Sequence, residues 1–223
     1  IAMGNSLDQP APLTKTVRES EIIFNALSKY DHMDATSVQE NMRNVLKKEI
    51  KKIGVPRSFF AEGLDPRVQK NFEDSLEKLK KAGYEIVDLE MPDLQYSLAV
   101  YYIIMPAEVS TNLSRLDGIK YGFSAEGKDL LEVYTKSRGQ GFGKEVRRRI
   151  LLGTFVLSHG YADAYYNRAV LFRNKITSEI NKAFETVDLI VTPTTPTPAF
   201  KKKKKMNDPV AMYLCDIFSA PAN

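Results

Sequence analysis

The chain has one cysteine, Cys215, and two histidines, His32 and His159. A single cysteine excludes an internal disulfide and any cysteine-based zinc cluster. The two histidines lie far apart in sequence, which argues against a multi-histidine metal centre, so no metal site is expected. No apolar run reaches the ~18 residues that a membrane span requires, and no signal peptide is visible. These absences point to a reducing, cytoplasmic compartment and to no membrane contact. Charge of one sign is also scarce. Lysine and arginine number 32 against 28 aspartates and glutamates, a net charge of +4. Five of the positives form one run, Lys201 to Lys205; without it 27 basic residues face 28 acidic ones. A broad basic face for nucleic acid is therefore not implied.

What is present is ordinary for a globular protein: 43% hydrophobic and 27% charged residues in a chain of 223. That length is ample for a hydrophobic core. The chain starts at Ile1 and stops in Ala220-Pro221-Ala222-Asn223, and neither end reads as a natural terminus. The expectation is a fragment.

Residues 1–15 read as loop. Thr16-Val17-Arg18-Glu19 is a capping box, followed by Ile23, Ala26, Leu27 and Tyr30 at helical spacing. A strand is predicted over Ile50 to Pro56. Asp65-Pro66 then opens a helix with a carboxylate N-cap and proline at N1. Its apolar stripe is Val68, Phe72, Leu76 and Leu79, and Gly83 closes it. Glu85 to Met91 alternates as a second strand, so the unit is a parallel βαβ crossover. The second half is mostly helical. Leu94 to Val109 forms one helix with Pro106 inside it; shorter ones cover Lys128 to Lys136 and Lys144 to about Ser158. Ile150 to Leu157 is apolar nearly all round and is expected to be buried. A long aromatic-rich helix is predicted over Tyr161 to Phe184, a third strand over Asp188 to Thr192, and a last short helix from Asp208-Pro209. The fold class is α/β: a mixed, largely parallel sheet covered by helices.

Familiar catalytic motifs are missing. No phosphate-binding loop occurs. Gly139-Gln140-Gly141-Phe142-Gly143 follows a predicted helix rather than a strand, which makes it a poor dinucleotide site. No Gly-x-Ser-x-Gly elbow occurs, and no serine or cysteine has an evident base beside it.

A set of ordered segments is nevertheless distinctive. They are Ser6-Leu7-Asp8-Gln9, Pro12 to Val17, Tyr101 to Ile104, Ala107-Glu108, Asn112-Leu113 and Asp117-Gly118. Arg138-Gly139, Gly141 to Val146, Arg148 to Ile150, Pro193 to Phe200 and Met212-Tyr213 complete them. Over nearly the whole chain these segments resemble the amidase-signature family, and within it the A subunits of tRNA-dependent amidotransferases. The resemblance implies a single partial amidase-signature domain over residues 1–223. It also implies glutamine hydrolysis by a Ser–cis-Ser–Lys triad through an acyl-enzyme, with ammonia passed on for ATP-dependent amidation of Glu-tRNA(Gln) or Asp-tRNA(Asn). Glutamine and partner subunits B and C are the implied partners. The tRNA is expected mainly on the partner, together with ATP and Mg, leaving no cofactor in this chain. The family's triad lies upstream of the position that matches Ile1. Ser6 is thus not the nucleophile, no residue is assigned as catalytic, and the chain alone is expected to be inactive.

By the same resemblance, Arg149 matches the arginine that binds the glutamine α-carboxylate, Asp216 the partner of the α-ammonium, and Tyr101 a pocket tyrosine. The residues themselves are compatible. A guanidinium fork suits a carboxylate, and Asp216 sits among Leu214, Cys215, Ile217 and Phe218, where a charge needs a partner. Read without the family, Arg149 is one of three consecutive arginines on a surface, Asp216 a helix cap and Tyr101 a core tyrosine. Glu108, Asn112 and Arg115 read as an architectural polar cluster, and His159 and Cys215 as structural. Pro193 to Phe200 is either a pocket wall at a strand end or a rigid connection. The lysine run is either an anion contact or a solvated loop. Two other functions compete: a stand-alone amide hydrolase and a non-catalytic partner-binding module.

Overall fold

In the computed structural model, residues 2–42, 49–60, 63–201 and 212–223 are described. Two parts of the chain are compact: Gln9–Glu49, and Ile1–Asp8 together with Ile50–Asn223. The first contains helix α1 (Val17–Leu27). Its capping box forms as the sequence predicts. Thr16 Oγ1 accepts from the Glu19 N–H (3.2 Å), and Glu19 Oε2 accepts from the Thr16 N–H (3.1 Å). No residue of α1 is buried.

The second unit is built on a parallel sheet of β1 (Lys52–Val55), β2 (Glu85–Asp88) and β3 (Leu189–Ile190), in the order β2-β1-β3. Ile53 is opposite Ile86 on one side and Leu189 on the other. The central strand is buried over Ile53, Gly54 and Val55, as a parallel strand covered on both faces should be. Val55 faces Leu76 of α2 (Pro66–Lys81), with Phe60 and Phe218 completing that cluster. Gly54 faces the other way. A Cβ there would lie 2.4 Å from Leu89 Cδ1, so only glycine lets this side close. That second cluster contains Leu89, Met91, Leu94, Ile104, Ile176 and Val187.

The strands are shorter than their apolar runs. β3 spans only two paired residues, yet it is held firmly at its start: Asp188 Oδ2 accepts from the N–H groups of Lys51 and Lys52, each at 2.9 Å. α2 begins where expected. Asp65 accepts from the Arg67 N–H (2.9 Å), Pro66 is the first helical residue, and Gly83 turns the chain at φ +98°.

The helical layer comprises α3 (Ser97–Leu113), α4 (Leu130–Gly141), α5 (Lys144–Val156) and α6 (Asn167–Phe184). A short 3-10 turn, Pro92–Tyr96, precedes α3, and Pro106 lies within α3. The glycines at 139 and 141 belong to the last turn of α4, which settles against a nucleotide loop there. α3 and α5 pack closest at Gly153, where an added Cβ would meet the Pro106 carbonyl oxygen at 1.9 Å. Met105, Val109 and Leu113 form the core of this seam, with Val146 and Ile150 from α5 packed on it.

Two expectations are corrected. The run Ile150 to Leu157 is not buried all round: Gly153 and Val156 are, but Leu151 is 71% exposed and Leu152, Phe155 and Leu157 are exposed as well. One neighbour, α3, covers one side of a helix, and an apolar run does not by itself supply a second neighbour. The helix predicted over Tyr161 to Phe184 does not start as an α-helix: a π-helical turn, Ala162–Tyr166, runs directly into α6. The helix predicted from Asp208-Pro209 and Lys202 to Lys205 lie outside the described residues.

Candidate functional site

Arg149 lies on α5, one turn beyond Glu145. Its Nε donates to Glu145 Oε1 (3.1 Å) and its Nη1 to Met105 Sδ (3.3 Å). The side chain is 25% exposed, sheltered by α3. Sulfur is a weak acceptor, so Glu145 carries most of the compensation for this partly desolvated cation.

Tyr101 and Tyr102 project from the same turn of α3. The Tyr101 phenol lies within the fields of Arg149, Asp216 and Asp8. Burial pushes its pKa up; Arg149 opposes this through its charge and a hydrogen bond, while the two carboxylates add to it. The Tyr102 hydroxyl donates to Asp216 Oδ2 at 2.7 Å. Burial, and then the bond to Asp216, push the Tyr102 pKa far above its ordinary range. Asp216 belongs to the short 3-10 turn Leu214–Asp216, which delivers it from the end of the chain to α3. The structure thus brings Arg149, Asp216 and Tyr101 into one neighbourhood, although Tyr102 and Asp216 stand 114 residues apart in sequence.

Three further residues pack in the same neighbourhood. Tyr213 Oη donates to Glu145 Oε1 (3.2 Å), and the Tyr213 ring packs on Tyr102 with centroids 4.3 Å apart. Tyr102 meets Tyr101 edge-on at 5.1 Å. Of Glu145, Tyr102 and Tyr213, only Glu145 carried a local signal, its i,i+4 relation to Arg149. The other two act through contacts over more than sixty residues, which no local pattern encodes.

The polar residues of α3 serve elsewhere. Glu108 Oε2 accepts from the Ser6 N–H (2.9 Å), and its other oxygen accepts from the Ser6 hydroxyl. Arg173 Nη1 donates to the same hydroxyl at 2.9 Å. Asn112 is buried and donates to the Met3 carbonyl (3.0 Å) and to Asn5, while Arg115 Nη1 donates to Asn112 Oδ1 (3.0 Å). This cluster pins residues 3–8 onto α3, an architectural role as read from the sequence. Ser6 is held by a carboxylate and an arginine, not by a lysine or histidine base.

The Pro193 to Phe200 segment combines both readings given to it. Asp65 N–H donates to the Pro196 carbonyl (2.9 Å), which ties the loop to the start of α2. Arg67, Asn71, Ser75, Thr192, Thr195 and Thr197 line a cleft of about 450 Å³ between them. None of Arg149, Asp216 and Tyr101 lines that cleft. Tyr101 borders a smaller cavity of about 100 Å³, shared with Leu7, Arg173 and Ala220. Among the described residues, no cluster of His, Cys, Asp and Glu could hold a metal ion, and no helix is long and apolar enough to cross a membrane.

The core is a parallel α/β sheet, and a guanidinium, a carboxylate and three tyrosines gather at one helix seam. The amidase family model matches residues 1–223, and the chain belongs to the amidase family. Over its full length it is 46% identical to the A subunit of glutamyl-tRNA(Gln) amidotransferase from Thermodesulfovibrio yellowstonii and 47% identical to that from Pelobacter propionicus. It covers 47% of each of those proteins, so it spans about half the length of the curated relatives it matches. The crystal structure of the A subunit of glutamyl-tRNA(Gln) amidotransferase from Thermotoga maritima superposes over 99% of this chain and 44% of its own, with TM-score 0.69 and 35% identity. A bacterial aryl acylamidase of the amidase-signature family shares the fold at TM-score 0.60 and 15% identity. The α/β fold is therefore that of part of an amidase-signature domain.

Proposed function

We propose that this chain is part of the glutaminase subunit of a tRNA-dependent amidotransferase, and that it supplies the groups that hold the amino-acid end of glutamine. The observation that carries the reading is that Arg149 and Asp216 meet the same stretch of α3: Arg149 Nη1 donates to Met105 Sδ (3.3 Å), and Asp216 Oδ2 accepts from Tyr102 (2.7 Å), whose ring packs on Tyr101. Free glutamine presents an α-carboxylate and an α-ammonium on one carbon. A guanidinium and a carboxylate in one neighbourhood match those two charges, whereas a simple uncharged amide would need neither. The resemblance to amidotransferase A subunits over the whole chain supports the same reading.

In this reading Arg149 takes the α-carboxylate, Asp216 the α-ammonium, and Tyr101 walls the pocket. Holding both ends fixes where the side-chain amide lies. The nucleophilic serine of a Ser–cis-Ser–Lys triad then attacks the amide carbon, ammonia leaves, and water releases glutamate from the acyl-enzyme. We assign that triad to the half of the relatives' length that this chain does not cover. Partner subunits B and C, with ATP, Mg and the tRNA held mainly by the partner, use the ammonia to amidate Glu-tRNA(Gln) or Asp-tRNA(Asn) in the cytoplasm.

The test is ammonia release from glutamine by the full-length protein that carries this chain, beside the isolated chain. Release by the former and none by the latter is the expected result. Hydrolysis of simple amides with glutamine ignored would favour a stand-alone amide hydrolase and overturn the proposal.

A further inference from the structure

Arg149 and Asp216 are not joined directly. A chain of contacts connects them: Arg149 Nε to Glu145 Oε1 (3.1 Å), Tyr213 Oη to the same oxygen (3.2 Å), the Tyr213 ring on the Tyr102 ring (4.3 Å), and Tyr102 Oη to Asp216 Oδ2 (2.7 Å). Every link spans two different parts of the chain except the first, which is one helical turn. Arg148 Nη1 also pairs with Glu145, through Oε2 at 3.2 Å, so both carboxylate oxygens are fixed. Glu145 takes Arg149 at Nε, the inner nitrogen, and the terminal Nη1 donates to Met105 Sδ (3.3 Å), a weak acceptor that a carboxylate fork would outcompete. Tyr102 takes Asp216 at Oδ2 rather than Oδ1.

We propose that Glu145, Tyr213 and Tyr102 are positioning residues that set the separation and orientation of Arg149 and Asp216, and so make the site selective for a free α-amino acid amide. The inference rests on the glutamine-binding reading above and extends it to residues that touch no substrate. Its physical content is preorganisation. Arginine and aspartate side chains each populate several rotamers, and both must be in place at once for a ligand whose charges sit on one carbon. A relay of two hydrogen-bonded anchors and a ring contact removes that freedom before binding. Tyr102 serves the ammonium end and Glu145 the carboxylate end, with Tyr213 coupling the two.

This division of labour gives a test that a merely structural role would not satisfy. The full-length enzyme is assayed for ammonia release from L-glutamine, from glutaramate, which lacks the α-ammonium, and from 4-aminobutanamide, which lacks the α-carboxylate. Loss of one charge-assisted hydrogen bond corresponds to about a tenfold change. Tyr102→Phe is therefore expected to raise the KM for glutamine about tenfold, with kcat falling less than about threefold, and to leave glutaramate within about twofold. Glu145→Ala is expected to raise KM for glutamine and glutaramate alike and to spare 4-aminobutanamide. Glu145→Gln, which keeps an oxygen for Arg149 Nε, should recover part of that loss. Tyr→Phe and Glu→Gln preserve shape, and the spared analogue reports in each case that the site is folded. If Arg149→Ala raises the glutamine KM but Tyr102→Phe and Glu145→Ala do not, the relay is overturned and the glutamine reading stands. If Arg149→Ala also leaves the glutamine KM unchanged, both are overturned. Equal losses on all three substrates would show a general structural role and would likewise overturn the relay.

Discussion

Helices α2 and α5 each carry an ion pair with i,i+4 spacing, and the two pairs do different things. In α2, Lys70 Nζ lies 2.9 Å from Asp74 Oδ2, with the two side chains 76% and 56% exposed. In α5, Arg149 Nε lies 3.1 Å from Glu145 Oε1, but Arg149 is only 25% exposed. The α2 pair faces water and involves no other element. The α5 pair sits on the α3 seam, where Met105 and Tyr101 reach Arg149 and Tyr213 reaches Glu145. Spacing along a helix creates the pair, and what the helix packs against decides whether the pair stays solvated or joins a wider network. A solvated pair contributes about 0.3–0.5 kcal/mol and is screened by salt, whereas a partly desolvated one constrains its neighbours and is constrained by them.

The largest effect should come from separating the two helices that make the difference. Gly153→Val places a branched side chain against the Pro106 carbonyl, which a Cβ alone would approach to 1.9 Å. Because backbone on both sides must move, we expect a loss of about 3 kcal/mol, read as a drop in Tm by differential scanning calorimetry. An unchanged Tm would show that α3 and α5 are not in close contact. Next in size is Arg149→Ala, which should weaken glutamine binding by about 2 kcal/mol, with Arg149→Lys restoring little because an ammonium cannot form the fork. Initial-rate kinetics on the full-length enzyme measure both, and a full rescue by lysine would contradict the forked contact.

A third carboxylate sharpens the contrast because it is sheltered without a cationic pair. Glu179 of α6 accepts from the Asp93 N–H at 3.4 Å, and its Oε2 has no hydrogen-bond partner among the described residues. Burial raises its pKa above the ordinary carboxylate value. A raised folded-state pKa favours the protonated form on folding. The associated stability is complete below the unfolded pKa and is lost as pH rises through the folded one. Glu179→Gln, neutral throughout, should therefore raise Tm at about pH 8, and the gain should vanish near pH 4. A gain that is the same at both pH values would show that charge is not the cause. Smallest of all is Asp74→Asn in α2, with a change within about 0.5 kcal/mol that disappears in salt; urea denaturation at low and high ionic strength would measure it.

The same contrast explains what the sequence made legible. α2 could be read almost residue by residue because its signals are local: a carboxylate cap at Asp65, proline at Pro66, a stripe ending at Leu79 and a glycine turn at Gly83. The parallel pairing of β1 and β2 followed from the helix between them. α5 was legible as a helix but not as a surface. Its apolar run from Ile150 to Leu157 specified a need for cover, and α3 meets that need on one side only. The break between α5 and α6 was legible, but the π turn Ala162–Tyr166 was not, since the aromatic run keeps a helical period through it. Arg149, Asp216 and Tyr101 were singled out through the family's motifs, not through local chemistry, and the fold brings them to one seam. Tyr102 and Tyr213 stayed hidden because a hydrogen bond to Asp216 and a bond to Glu145 are facts of the folded chain.

The central claim is that Arg149 and Asp216 hold the two charges of one amino acid. A crystal structure of the full-length protein with L-glutamine tests it most directly. The α-carboxylate is expected on the terminal nitrogens of Arg149 and the α-ammonium on Asp216 Oδ1, both within about 3.2 Å, with Tyr102 still on Oδ2. Glutamine bound away from these two residues, or with its side-chain amide in their place, would contradict it.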